Sequence, residues 1–318
     1  MGRALKAVFF RKAIEPPKSG TFLKAATPSA GERYRLALQE TDRARNLEVM
    51  IRQTRLKGST VIAVISPKGG PGKTTITALL GTLFAELRRD PVIALDANPD
   101  FGDLKDKLSY EDTESALVDS LAHWLEANPA ATPSEFSRQL GIGPHGLRFV
   151  ATPRPPEGEV VSEPTVLKRM TLAADYDLYA SLIRRLRDYT GVLLLDCGTG
   201  LLDPPVRAAL EAADQIVLVT DTSATTARQV VASARLLPSQ TPTWLVANKM
   251  AKSSRLDLPR VITSIPQVRG VTVVPVPGED LAENIVTPNF RWEEAPQVWQ
   301  EPLREIAARL ADYWPNLG

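Results

Sequence analysis

The chain has 318 residues, 43% of them apolar, which is enough for a core domain plus an extension, and its net charge is only +1. Cys197 is the only cysteine, which excludes an intrachain disulfide framework and fits a reducing cytosol. The two histidines, His123 and His145, stand apart from any cysteine cluster, so a structural zinc site is not expected and each reads as a surface or helix-edge residue. With no apolar run of about eighteen residues and no signal-peptide pattern, a cytoplasmic location is expected.

The charge is unevenly spread. Residues 1–58 hold 13 Lys/Arg against 5 Asp/Glu, a net of +8, and the remainder is net −7. Residues 1–31, broken by Pro16, Pro17, Gly20 and Pro28, read as loosely ordered. Within them Ala4, Leu5, Val8, Phe9 and Phe10 alternate with Arg3, Lys6, Arg11 and Lys12. Two readings stay open here: a short basic amphipathic stretch for an anionic membrane or a partner, or a disordered tail. Glu32–Lys57 lacks Pro and Gly and reads as a helix. Leu36, Leu47, Met50 and Ile51 are its candidates for packing on a core. Arg43, Arg45, Arg52, Arg55 and Lys57 form a basic surface that suits nucleic acid or is simply a solvated face.

Thr60–Ile65 is an apolar, β-branched strand signal, and Ile76, Leu79, Leu80 and Leu83 recur at helical spacing. Between them lies S-P-K-G-G-P-G-K-T-T, Ser66 to Thr75. Strand, glycine-rich loop, Gly-Lys-Thr and helix form the context of a phosphate-binding loop. Gly69, Gly70 and Gly72 keep side chains out of the curl, Lys73 reaches the β- and γ-phosphates, and Thr74 offers its hydroxyl to Mg²⁺; Pro71 and Thr75 complete the cradle. Pro67 stands where the common pattern opens with Gly.

With Lys68 at its head, K-G-G-P-G-K-T resembles the deviant Walker A motif of the MinD/ParA ATPases. The resemblance implies ATP and ADP as ligands and a homodimer in the ATP state, with Lys68 crossing the interface to the partner's nucleotide. Pro91–Leu95 is the next strand, and Asp96 at its end matches the first Asp of the family's Asp-x-Asp switch I, which helps arrange Mg²⁺ and water. Asn98 holds the second position. An amide can orient water but cannot take its proton, unless Asp100 compensates. The D-A-N-P-D wording is similar to MinD/ParA-like ATPases found beside actinobacterial type VII secretion systems, which often carry an extension before the ATPase domain.

Residues 105–146 read as mostly helical with turns. Leu117, Leu121, Trp124 and Leu125 form an apolar stripe, Trp124 reads as core, and the region suits partner specificity. Leu147–Ala151 reads as a strand, Thr152–Gly158 as a proline-rich loop and Thr165–Tyr189 as largely helical, with Arg184, Arg185 and Arg187 suiting its C-terminus. Val192–Asp196 is the Walker B strand. Asp196 is expected to hold the Mg²⁺ shell through water, and Cys197–Leu201 resembles switch II. Cys197 itself reads as a small buried side chain.

Asp214–Thr220 and Thr243–Ala247 are further strands, with a helix over Thr225–Leu236 between them. The family resemblance sets Asn248 against the adenine edge and the loop Pro277–Leu281 over the base; the plainer reading of Asn248 is a strand-end turn residue. Val271–Val276 is the last strand. Trp299–Trp314 is the closing helix, striped by Leu303, Ile306, Ala307 and Leu310. With the chain stopping at Gly318, any membrane contact is expected through the amino-terminal extension.

Together these readings predict a three-layer α/β P-loop NTPase domain over residues 59–314, with a mostly parallel central sheet, preceded by a basic extension at 1–58. The resemblance implies a dimerising switch that hydrolyses ATP to ADP and phosphate, slowly and under stimulation by a protein partner. Such a switch positions a plasmid, a chromosome segment or a secretion complex, and the extension offers contact to DNA or an anionic membrane. A single cysteine speaks against the metal-cluster carriers and nitrogenase-type reductases that share the motif. The alternative is a pseudo-ATPase scaffold or regulator of a type VII secretion system, which binds ATP with little turnover; Asn98 favours it.

Overall fold

A computed structural model describes residues 30–98, 102–109, 117–153, 175–250, 258–275 and 292–317. The apolar runs become the strands β1 (Thr60–Ile65), β2 (Val92–Ala97), β3 (Gly141–Ile142), β4 (Arg148–Val150), β5 (Val192–Cys197), β6 (Gln215–Thr220), β7 (Thr243–Met250) and β8 (Val268–Pro275). They form one eight-stranded sheet in the order β3-β4-β2-β5-β1-β6-β7-β8. Every pairing is parallel except β3 with β4 at the edge. β1, β2, β5 and β6 are buried at every position, as expected of parallel strands covered on both faces.

The helices are α1 (Ala30–Gln53), α2 (Lys73–Leu87), α3 (Leu104–Leu108), α4 (Val118–Ala127), α5 (Pro133–Ser137), α6 (Tyr176–Arg187), α7 (Pro204–Ala212), α8 (Ala224–Ser233), α9 (Leu258–Thr263) and α10 (Gln297–Tyr313). Alternation along the strands divides the core in two. Ile62, Val64, Leu194 and Val217 pack with α1, α2 and α10, whereas Val61, Ala63, Leu193 and Ile216 pack with α4, α6 and α7. The expected three-layer α/β architecture is present.

Several local expectations are refined. Among its described residues, the segment read as mostly helical up to residue 146 contains short helices, then β3, a two-residue edge strand that carries too little pattern to be seen, and a 3-10 turn at Pro144–Gly146. Gly141 is required there because an added Cβ would lie 2.4 Å from the Phe149 ring. Trp124 packs against the half of the core formed with α4, α6 and α7, 6.5 Å from Phe136 between ring centroids. Arg185 and Arg187 near the end of α6 turn to protein groups: Arg187 pairs with Asp214 at 3.0 Å, and Arg185 donates to the Pro129 carbonyl at 3.1 Å. The expectations for residues 1–29, Asp100, the loop beyond Pro153, the first part of the Thr165–Tyr189 helix and the loop Pro277–Leu281 fall outside the described residues.

Helix α1 is integrated into the core. Ile51 is fully buried and Leu47 packs beside it, whereas Met50, a core candidate by sequence, is 39% exposed. Glu48 accepts from Arg304 of α10 at 2.8 Å, and Arg43 reaches Glu301 at 2.8 Å, so part of the basic surface is neutralised by the closing helix. Arg88, the residue that ends α2, donates to the carbonyls of Ile51 (2.6 Å) and Thr54 (3.0 Å), pairs with Asp90, and stacks over Trp314. One guanidinium thus satisfies the open carbonyl end of α1 and ties it to both the P-loop helix and the C-terminal turn.

His145 sits in a left-handed turn (φ 54°) rather than simply at a surface. Its Nδ1 lies 2.6 Å from Glu86, and its Nε2 accepts the Trp292 backbone N–H at 3.1 Å. Glu293 completes a cluster of three metal-capable groups, but both ring nitrogens already serve protein partners, so the histidine works as a clasp between α2 and the start of the last segment.

Candidate nucleotide site

Strand order assembles the site. β1 runs directly into Ser66–Gly72, which turns into α2 at Lys73. Gly70 and Gly72 have φ of 96° and 95°, a region that side-chain-bearing residues seldom enter. No side chain caps α2, and its first turn carries no acid. The N–H groups at its start are therefore open toward the loop, where the helix dipole favours an anion.

The register of the central strands then delivers two carboxylates. Val64 of β1 pairs with Asp196 of β5, and Asp196 pairs with Asp96 of β2. Both acids are sealed from solvent at the C-terminal ends of their strands. Burial pushes the Asp196 carboxyl up to about 6, against the opposing pull of a hydrogen bond from Thr74, the Lys73 charge and a hydrogen bond from Thr77. The single Thr77 proton is shared, with its Oγ1 3.0 Å from the Lys73 carbonyl and 3.3 Å from Asp196 Oδ1. Asp103 adds a like charge nearby. Oxygen donors around a buried acid pair, beside a lysine and a threonine hydroxyl, suit a hard divalent cation; Thr74, Asp96 and Asp196 fit the Mg²⁺ that the motif implies.

Asp96 is positioned from several sides. Its Oδ1 accepts the Asn98 N–H at 3.0 Å. Its carbonyl accepts the hydroxyls of Tyr179 (3.1 Å) and Thr152 (3.3 Å). Gly102 packs so closely that an added Cβ would meet Asp96 Oδ2 at 2.0 Å. Tyr179 is fully buried, and burial holds its phenol well above the usual range, so it serves as a neutral donor. Cys197 follows Asp196 in full burial; its thiol is likewise pushed up and faces the Leu195 carbonyl at 3.7 Å, which makes it an inert packing group.

Of the residues singled out in the sequence, Lys73, Thr74, Asp96 and Asp196 converge here. Lys68 is half-buried at the head of the loop, before the exposed Gly69 and Gly70. Asn248 lies at the end of β7, only 7% exposed, with its Nδ2 donating to the Pro71 carbonyl at 2.7 Å. Sequence reasoning missed Thr77, Thr152, Tyr179, Gly102 and Lys249. Thr77 was in principle visible, one helical turn after Lys73 on the same face; the others depend on long-range packing.

Fold and site together define a P-loop nucleotide-binding domain. The family model for the CobQ/CobB/MinD/ParA nucleotide-binding domain matches residues 62–276, and the chain belongs to that family. A curated relative is the "ESX-1 secretion-associated protein EspI" of Mycobacterium tuberculosis, 32% identical over 177 residues. That match covers 54% of this chain and only 23% of the relative, so the chain spans about a quarter of the protein it matches. Among solved structures, a ParA family ATPase from Chlorobium tepidum superposes with a TM-score of 0.63 at 18% identity, over 78% of this chain and 98% of that one. The septum site-determining protein MinD of Pyrococcus horikoshii, complexed with Mg-ADP, gives 0.60 at 19% identity, over 80% and 98%. No helix among the described residues is long and apolar enough to cross a membrane.

Proposed function

We propose that this chain is an ATP-dependent switch that dimerises around bound nucleotide, hydrolyses ATP to ADP and phosphate under the control of a protein partner, and positions a macromolecular cargo. The observation that carries this reading is the convergence of Lys73 and Thr74, at the open start of α2, with the register-paired and buried Asp96 and Asp196. The loop N–H groups and Lys73 bind the phosphates. Thr74, Asp96 and Asp196 would hold Mg²⁺, which would supply positive charge to offset that of the phosphates. Asp96 and Asn98 orient the attacking water; the Asn98 amide takes no proton, so the water's proton passes to an oxygen of the transferred phosphate. Lys68 reaches the nucleotide of a second copy. Asn248, whose Nδ2 is spent on the loop, turns its Oδ1 to the amino group of adenine. The likeness to EspI favours a secretion complex as cargo over a plasmid or chromosome segment. The basic residues ahead of α1 supply the contact to DNA or anionic membrane.

The second reading, a scaffold that binds ATP without turning it over, is favoured by Asn98 in place of a carboxylate. Steady-state phosphate release, with and without DNA, separates the two. Sustained and stimulated release is expected of the switch. Tight ATP binding with release at the background rate would leave the scaffold.

A further inference from the structure

β7 and β8 lose register between Ala247 and Met250: three steps on β7 match two on β8, from Val273 to Pro275. The extra residue is a β-bulge, and bulges re-aim side chains. Lys249 sits in it with φ 53°, a left-handed conformation that a long side chain rarely adopts. Neighbouring residues of a regular strand point to opposite faces. Here Asn248 and Lys249 instead reach the same loop. Asn248 Nδ2 donates to the Pro71 carbonyl at 2.7 Å, and Lys249 Nζ donates to the Gly70 carbonyl at 2.8 Å. Lys249 is exposed, yet its ammonium ends on a peptide oxygen.

Those two carbonyls matter because a trans peptide points its C=O and N–H in opposite directions. A loop that cradles phosphate must turn its N–H groups inward and its carbonyls outward. The Pro71 carbonyl shares its peptide with the Gly72 N–H, so the Asn248 bond fixes the direction of that donor. The Gly70 carbonyl shares its peptide with Pro71, which has no N–H. The loop therefore has one donor fewer, and the orientation of this peptide has no phosphate contact of its own to set it. Gly72 leaves no slack, since a Cβ there would lie 2.6 Å from Asn248 Nδ2.

We infer that Lys249 is a positioning residue for the triphosphate tail: with Asn248 it clamps the outward carbonyls of the loop from the end of β7, so that the remaining donors are set before ligand arrives. This rests on the nucleotide reading above. It assigns Lys249 to the phosphate loop and not to the base.

The test measures binding of an ATP analogue, inorganic tripolyphosphate and adenosine, each with Mg²⁺, to the full chain. The variants are Lys249→Met, which keeps length and removes the donor, Lys249→Gly, which also relaxes the left-handed backbone, and Lys249→Arg, which keeps a charged donor. Methionine and glycine are expected to weaken the analogue and tripolyphosphate by the same factor, about tenfold, with adenosine unchanged; arginine restores most of the loss. Glycine keeps the test sound if methionine folds poorly, because it removes strain as it removes the ammonium. Unchanged tripolyphosphate binding in the glycine variant overturns the inference, as does a loss seen only with ligands that carry the base. A wild-type chain that binds neither the analogue nor tripolyphosphate overturns the nucleotide reading itself, and this inference with it.

Discussion

Asp96 and Asp196 are register partners on neighbouring parallel strands, both closed off from solvent at the same edge of the sheet. Strands in a sheet lie about 4.8 Å apart, so two carboxylates are held side by side where water cannot screen them. Such a pair is costly unless a cation shares it. The fold thus stores unfavourable electrostatics at the place where a metal–phosphate complex would relieve it.

The first prediction follows from the burial of Asp196, the main cause of its raised carboxyl. The Asp196 carboxyl moves from 3.8 up to about 6 in the folded chain. A raised acid contributes stability while protonated, present below the unfolded value and lost as pH rises through the folded one. Asp196→Asn escapes that loss. Without nucleotide or Mg²⁺, the variant should exceed wild type in denaturant stability at pH 7.5 by about 2–3 kcal/mol, with the gap narrowing by about 1 kcal/mol at pH 5. Mg²⁺-dependent nucleotide binding should fall in the same variant. A gap that does not change with pH would refute the assignment.

The second concerns water activation. Asn98→Asp places a carboxylate two residues beyond Asp96. If proton removal limits turnover, kcat should rise by roughly an order of magnitude while ATP affinity changes little. A flat kcat with intact binding would show that another step limits the cycle.

Apart from β3, the strands, the P-loop and both acids were legible because each rests on local pattern: apolar runs, glycines before Gly-Lys-Thr, and a carboxylate at the end of a buried strand. α1 was legible as a helix, and Ile51 and Leu47 as its core contacts, but Met50 was not legible as exposed, since the stripe among charges is sparse and which side is buried depends on α10 and Arg88. The Lys249 contact was not legible at all. It needs a bulge and a left-handed residue, and neither leaves a glycine or proline to mark it.

The third prediction separates the two parts of the amino-terminal region. Arg88→Met should cost about 2–4 kcal/mol, because it strands the Ile51 and Thr54 carbonyls and leaves Asp90 without its partner; urea titration reads this directly. Deleting residues 1–29 keeps α1 and should leave stability unchanged. The deletion removes six Lys/Arg and one Asp/Glu. Binding to DNA or anionic vesicles should drop with it, most visibly at low salt. Equal binding by the deleted and full chains at both low and high salt would exclude the extension as the contact.

The proposed switch needs a dimer closed by ATP, in which Lys68 and Lys73 would have separate roles. Lys73 stands at the start of α2, where the proposed dimer would use it for the phosphates of its own subunit, and Lys68 lies five residues earlier, before the curl closes. In the proposed dimer two facing triphosphates would form a strongly negative centre, which Lys68 from each side would offset. The charged hydrogen bonds lost in Lys68→Ala are worth about 1.5–3 kcal/mol each and occur in two symmetric copies, so the dimer Kd should rise tenfold or more. The direct measurement is sedimentation velocity of wild type, Lys68→Ala and Lys73→Ala, each with ADP and with a non-hydrolysable ATP analogue. The proposed switch requires dimers only for wild type with the analogue, monomers with bound analogue for Lys68→Ala, and weak binding for Lys73→Ala. A wild-type chain that stays monomeric with the analogue, or a Lys68→Ala chain that dimerises as well as wild type, would contradict it.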